Sequence, residues 1–294
     1  MTDIEWTVPG RSASIGQTWR ILARNPVSVA ALCLVPALAA VAIAAPWITP
    51  FDPNATDLDH VLQGPSSLHW FGTDPVGRDV FSRVLIATRL DLSIAVSAVL
   101  LSSLVGTAIG GAAALYGGAA DRLVGRLTDV LMTFPLFVVA MALVAALGNS
   151  VQSIVLASAV VNLPFFVRLA RSEVSVLRAQ QYVEAARAGG NTELQILFGF
   201  MIPNALPTLT VQVSTALGWA VLNAASLSFI GLGIRPPTAE WGIMVAEGAA
   251  NILSGFWWLA IFPAAALTFT VLCFNLLGDG LRDEIGRASC RERV

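Results

Sequence analysis

Long apolar runs constrain this chain more than any other feature. The first extends from Pro26 to Thr49, and others fall at about 91–117, 128–148, 151–170, 205–233 and 255–277. A helix needs roughly 20 such residues to span a hydrocarbon core, so the runs predict six crossings. Only a helix satisfies every backbone N–H and C=O within such a segment, so the expected fold is an all-α polytopic membrane protein. Composition agrees: 56% of residues are hydrophobic and 12% charged, where a soluble domain carries about a quarter charged residues. A cleaved signal peptide is the other reading of the first run, suggested by the small residues of AVAIAAP. The run is too long for one and starts too far from Met1.

The charges sort by side. All 17 basic residues are arginine. With the N-terminus inside, thirteen fall on inner segments, and Arg78, Arg83, Arg89 and Arg235 fall outside. The positive-inside rule then places both termini in the cytoplasm. The expected organisation is a cytoplasmic segment 1–25, a membrane domain 26–283 and an atypical tail 284–294. External loops are expected at about 50–90 and 235–254, and a cytoplasmic loop at about 171–204. A net charge of -2 points away from nucleic acid and leaves membrane lipid as the surroundings.

Enzymatic chemistry finds no foothold. With no lysine, the chain cannot supply the cation of a phosphate-binding P-loop. His60 and His69 share one loop and read as solvated residues, with metal binding the lesser alternative. Cys33, Cys273 and Cys290 lack metal-ligand spacing, so no catalytic residue, metal site or bound cofactor is expected. The spans carry few charges but several polar residues: Asn162, Gln212, Ser214, Thr215, Asn223, Ser226, Ser228 and Asn275. Interhelical hydrogen bonding is the plain expectation for these. Gln212, Ser214, Thr215, Asn223 and Ser226 are also candidates for a translocation path.

Local patterns add detail. From Val80 onward, Val80, Phe81, Val84 and Leu85 share one helical face opposite Asp79 and Arg83, predicting an interfacial helix with an Asp79–Arg83 pair. Gly106 and Gly110 form a GxxxG that permits close helix approach. Pro135 and Pro164 predict kinks. Trp241 reads as an interfacial anchor, and Gly231 and Gly233 as helix termination.

The stretch Tyr182–Pro207, YVEAARAGGNTELQILFGFMIPNALP, is polar between apolar neighbours. Tyr182 to Ala188 favours helix, and Gly189-Gly190-Asn191 ends it. Thr192 caps a second helix with Glu193 in its first turn. Pro203 and Pro207 start the next helix.

These residues carry a resemblance. Glu184-Ala185-Ala186, Gly190, Phe200, Ile202 and Pro203 keep the spacing of a loop that reads Glu-Ala-Ala, Gly, then Ile and Leu-Pro. It is found in the inner-membrane permeases of ABC importers of the dipeptide/oligopeptide/nickel class, C-type. The block Phe71 to Arg83, FGTDPVGRDVFSR, resembles that subfamily's FGTDxxGRDxxSR. Leu227 to Pro237 with Trp241 to Met244, and Asn275 to Asp283, resemble its LSFLGLGxxPPxxxWGxM and NLLGDGLRD blocks. Gly199-Phe200 departs from it where relatives often carry a basic pair.

The resemblance implies the type I ABC importer permease fold in a prokaryotic plasma membrane. It implies half of a pathway for di- and oligopeptides, completed by a B-type permease. Two ATPase subunits carry ATP and Mg, and an extracytoplasmic binding protein delivers cargo. Glu184 would meet the ATPase, Ala185 and Ala186 would allow close approach, and Gly190 would make the turn. Nickel, opine or glutathione transport shares these blocks. A self-sufficient secondary transporter or channel is the alternative from another class.

Overall fold

The computed structural model describes residues 26–291, with side chains over 28–284. The N-terminal segment 1–25 and most of the tail's side chains lie outside that range. Among the described residues the regular structure is helical, with one isolated antiparallel bridge between Thr73 and Asp79.

The elements are α1 (Pro26–Ile48), α2 (Val80–Tyr116), α3 (Gly118–Thr133), α4 (Leu136–Leu147), α5 (Val151–Leu177), α6 (Gln181–Ala188), α7 (Glu193–Ile196), α8 (Ile202–Phe229), α9 (Trp241–Asn251) and α10 (Trp258–Arg291). Of these, α1, α2, α5 and α10 are each long and apolar enough to cross a membrane, as is the stretch Glu193–Phe229 ending in α8. The pair α3–α4, bent by 89°, is a sixth span if counted as one. The run at 128–148 is therefore no straight crossing. Phe134 is extended, the conformation a following proline favours, and Pro135 starts α4 anew.

Two segments differ from the expected layout for one reason, burial. The helix beginning at Val80 does not lie separately in the interface. It is the first part of α2, continuous for 37 residues, and Val80, Ser82, Arg83 and Val84 are all buried. The 235–254 segment contains α9, whose first turn, Trp241 to Met244, is also buried. Trp241 is thus a core residue and no interfacial anchor; its indole N–H donates to the Val84 carbonyl at 3.2 Å.

The α2–α5 pair makes the most extensive contact of the bundle, and the GxxxG explains it. A Cβ on Gly106 would lie 2.7 Å from Phe166 Cβ, and one on Gly110 only 2.3 Å from the Val167 carbonyl oxygen. Both glycines are buried, so their missing side chains set how closely the backbones approach. Small residues perform the same service around α9. A Cβ on Gly242 would meet Ala225 of α8 at 2.1 Å, and one on Gly248 would meet Ala260 of α10 at 2.4 Å. Gly231 ends α8 with φ +81°, as expected, but Gly233 is a packing position whose Cβ would strike the Ser228 side chain at 2.0 Å.

The bundle has two built ends. At the cap end, residues 50–79 fold over the start of α2. Trp258 Nε1 donates to the Thr73 carbonyl at 3.2 Å, and Phe71 stacks on Phe262 with ring centroids 3.9 Å apart. At the opposite end, α6 and α7 form a knuckle beneath the C-terminus of α2.

Candidate functional site

The knuckle forms because its caps are local. Ala, Glu and Arg carry α6 to Ala188, and Gly190 takes φ +85°. Gly190 N–H then donates to the Arg187 carbonyl, and Asn191 N–H to that of Ala186. These are the two bonds of a Schellman ending, and the left-handed residue they need is cheap only as glycine. Thr192 and Gln195 close a reciprocal capping box on α7. The helix–turn–helix expected from the sequence is present at those residues.

A small apolar core holds it. Val183 and Ala186 of α6 pack with Ile196, Leu197 and Met201, against Val174 of α5 and the end of α2. Five of these, Val183, Ile196, Leu197, Met201 and Val174, are fully buried. Between α7 and α8 the chain makes a π turn, Leu197–Met201, in which Ile202 N–H reaches the Leu197 carbonyl. The wide turn sits where a straight α-helix would set the Pro203 ring against the carbonyl four residues back. Arg178 Nη1 donates to the carbonyls of Ala114 and Leu115 at 3.1 and 3.4 Å. It thereby covers carbonyls that the end of α2 cannot satisfy itself.

The expected coupling residues divide by exposure. Glu184, Ala185, Gly190, Phe200 and Pro203 are exposed and Ile202 is half-buried. Ala186 faces inward, so its small side chain serves the knuckle's own core. Sequence reasoning missed the exposed Tyr182, Leu194 and Phe198 around them. Their apolar character was visible, but not which face they occupy. Arg187 pairs with Glu193 at 2.8 Å with both side chains over a third exposed, which ties α6 to α7 and leaves Glu184 outward.

Between the ends, a cavity of about 330 Å³ opens among α4, α5 and α8. Gln212, Thr215 and Asn223 line it, with Asn162, Phe137, Phe165 and Trp219. Of the other two path candidates, Ser214 is buried and Ser226 lines a neighbouring groove with Phe229. Asn162 and Trp219 join only through the pairing of α5 with α8. For four of the eight polar span residues, bonds within the helix take the place of the expected interhelical ones: Asn162, Ser214, Thr215 and Ser226 each donate to the carbonyl four residues back. Such back-bonding satisfies a polar group inside an apolar span without a partner helix.

The cap corrects several loop expectations. His69 is no solvated residue: it is buried, with Nδ1 2.9 Å from Asp79 Oδ1. Asp79 also caps α2 by accepting from Ser82 N–H at 2.8 Å, so the Asp79–Arg83 pair does not form. Arg83 instead donates to the carbonyls of Pro53 and Pro237, both at 3.1 Å, and lies 3.8 Å from Asp74. Asp74 binds Arg78, which also reaches Glu247 at 3.6 Å. Hydrogen bonding to His60 holds the exposed Asp57 carboxyl below its ordinary range.

This arrangement of spans, cap and knuckle coincides with a family likeness over most of the chain. Residues 81–288 match the family described as binding-protein-dependent transport system inner membrane component. Residues 15–65 match the N-terminal transmembrane domain of oligopeptide transport permease C. The probable D,D-dipeptide transport system permease protein DdpC of Escherichia coli (strain K12) is 42% identical over 90% of this chain and 88% of its own length. The glutathione transport system permease protein GsiD of Pectobacterium atrosepticum is 42% identical over 91% of this chain and 89% of its own. The GsiD protein of Escherichia coli O6:K15:H31 matches at 42% over 91% and 88%. The helical architecture, with five spans or six if the bent pair counts as one, and a family match over residues 81–288 lead to one conclusion: the chain belongs to the inner-membrane permease family of binding-protein-dependent ABC importers.

Proposed function

We propose that this chain forms half of the translocation pathway of an importer for short peptides and couples it to ATPase subunits through the knuckle. The carrying observation is the exposed face of the knuckle. There Glu184, Ala185 and Gly190 stand on a rigidly capped turn, with Tyr182, Leu194, Phe198 and Phe200 exposed around them. An apolar patch with one free carboxylate suits a protein groove better than water. The knuckle end faces the cytoplasm and the cap end the exterior, as the arginine asymmetry supports. ATP and Mg belong to the ATPase partners, and this chain carries no catalytic residue or cofactor of its own. A B-type permease completes the pathway, and a binding protein delivers cargo over the cap.

Gln212, Thr215, Asn223 and Asn162 give one side of the path amide and hydroxyl groups suited to peptide bonds. Glutathione, itself a short peptide, is the second reading, favoured by the GsiD relatives.

The test is co-purification. Glu184→Arg in the complete transporter is expected to retain several-fold less ATPase subunit than wild type while the membrane chain stays folded. Wild-type retention with wild-type uptake would return Glu184 to an ordinary surface residue. Uptake of labelled dipeptides against labelled glutathione separates the two cargo readings.

A further inference from the structure

Beneath the cap two carboxyl groups are buried side by side without a cation. Asp91 stands three turns into α2 and Glu240 caps the N-terminus of α9, and they are 2% and 1% exposed. Glu240 commits an oxygen to each of two backbone donors, Gly242 N–H and Ile243 N–H, both at 2.9 Å. Asp91 Oδ2 accepts from the next backbone donor, Trp241 N–H, at 3.1 Å. The Trp241 indole then donates to Val84, back on α2. The first turn of α9 is thus fastened to α2 at two points.

Asp91 Oδ1 remains, fully buried and without a protein donor. The charged group that faces the Asp91 carboxyl is that of Glu240. Ionised, the two would present acceptor to acceptor; one proton turns either into a donor and completes the set. We propose that Asp91 and Glu240 hold a single proton between them and that this shared proton clamps α9 to α2.

Among the described residues no cation compensates the pair. Of the charged side chains on the packed elements, Arg78 and Arg83 are engaged with Asp74, and Glu247 of α9 lies against Arg78. Arg89 and Arg235 are exposed. Glu240 is the one charged group acting on Asp91, and the Ser228 hydroxyl at the end of α8 borders Glu240. Two carboxylates in so dry a site cannot both ionise cheaply. Burial pushes the Glu240 carboxyl up from its ordinary value, and the titration belongs to the pair.

The sign follows from linkage. The folded chain keeps a proton that the unfolded chain releases near ordinary carboxyl values. The stability it contributes is therefore complete in acid and lost as pH rises through the folded pair's titration. Among the described residues no group of three or more His, Cys, Asp or Glu side chains could hold a metal ion, which favours a proton over a metal as the shared cation.

The test uses the full chain in lipid nanodiscs, with whatever subunits copurify. At neutral pH the infrared spectrum is expected to show a protonated-carboxyl carbonyl band that shifts in D2O and is lost in the Asp91→Asn/Glu240→Gln double variant. The wild-type unfolding midpoint is expected to fall by several degrees from neutral to alkaline pH, with Asp91→Asn flat over that window because its amide donates at every pH. If the double variant does not fold, the wild-type series and Asp91→Asn decide alone. A midpoint indifferent to pH, equal pH slopes in wild type and Asp91→Asn, or identical spectra in wild type and double variant would overturn the proposal. So would a midpoint raised by sodium chloride and not by choline chloride, which would make the occupant a metal cation.

Discussion

At the cap end this permease buries charge; at the knuckle it buries methyl groups and leaves its charges in the open. Asp74, Arg78, Asp79, Arg83 and His69 all have side chains less than a tenth exposed, whereas Arg187 and Glu193 are 36% and 41% exposed. The buried charges of the cap depend on one another, His69 on Asp79 and Asp74 on Arg78 and Arg83. The knuckle is held by a few apolar side chains and two helix caps, so its charged surface is free to be used by something else. One end locks its charges inside and the other leaves them at the surface.

The hardest blow to this contrast is Asp74→Ala. It removes the carboxylate between Arg78 and Arg83 in a dry site, where breaking a buried pair costs roughly 3–5 kcal/mol. The unfolding midpoint of the purified chain should drop sharply; a loss no greater than that of a surface mutant would show the cap to be wetter than its burial indicates. Next comes Ile196→Ala in the knuckle core, expected to cost about 2 kcal/mol or more through the cavity it leaves. Proteolysis should then open residues 178–201 first, with the cap still protected. If both ends loosen together, the two are one cooperative unit.

Gly190→Val imposes a left-handed residue with a branched side chain, at roughly 1–2 kcal/mol. Nothing lies within 4 Å of a Cβ there, so the damage is conformational and confined to the turn. ATPase retention should fall while the global midpoint barely moves; unchanged retention would show that the turn's shape is not read. Least of all should Arg187→Ala matter to stability, at less than about 1 kcal/mol for so exposed a pair. A larger loss would mean that the knuckle depends on charge as the cap does.

The same contrast explains what could be read in advance. The knuckle was legible because its signals are local: Gly189-Gly190-Asn191 ends one helix and Thr192, with Glu193 behind it, starts another at the next position. The spans were legible because hydropathy needs no partner. The cap was not, because its bonds join positions far apart, such as Arg83 with Pro237 or Trp258 with Thr73. A run rich in Asp, Gly and Pro looks the same whether solvated or buried. Its one local cue, Asp79 before an apolar helical run, is an N-cap signal, and it competed with the i,i+4 spacing to Arg83. Trp241 was misplaced for a related reason. A tryptophan near a span end suggests an interface, and only the insertion of α9 between α8 and α10 removes it from one.

Helix α2 runs from the cap to the knuckle. Its 37 residues contain no proline and measure about 55 Å at 1.5 Å per residue, well beyond the thickness of a hydrocarbon core. Mechanically it is a lever whose one arm ends under Arg178 and whose other carries Asp91 and Arg83. Gly106 and Gly110, pressed to α5 in its C-terminal half, are the natural fulcrum. A tilt of roughly 10° about that point would sweep the longer, cap-side arm through about 5–7 Å. The two arms are unequal, about 40 Å toward the cap against about 12 Å toward the knuckle at 1.5 Å per residue.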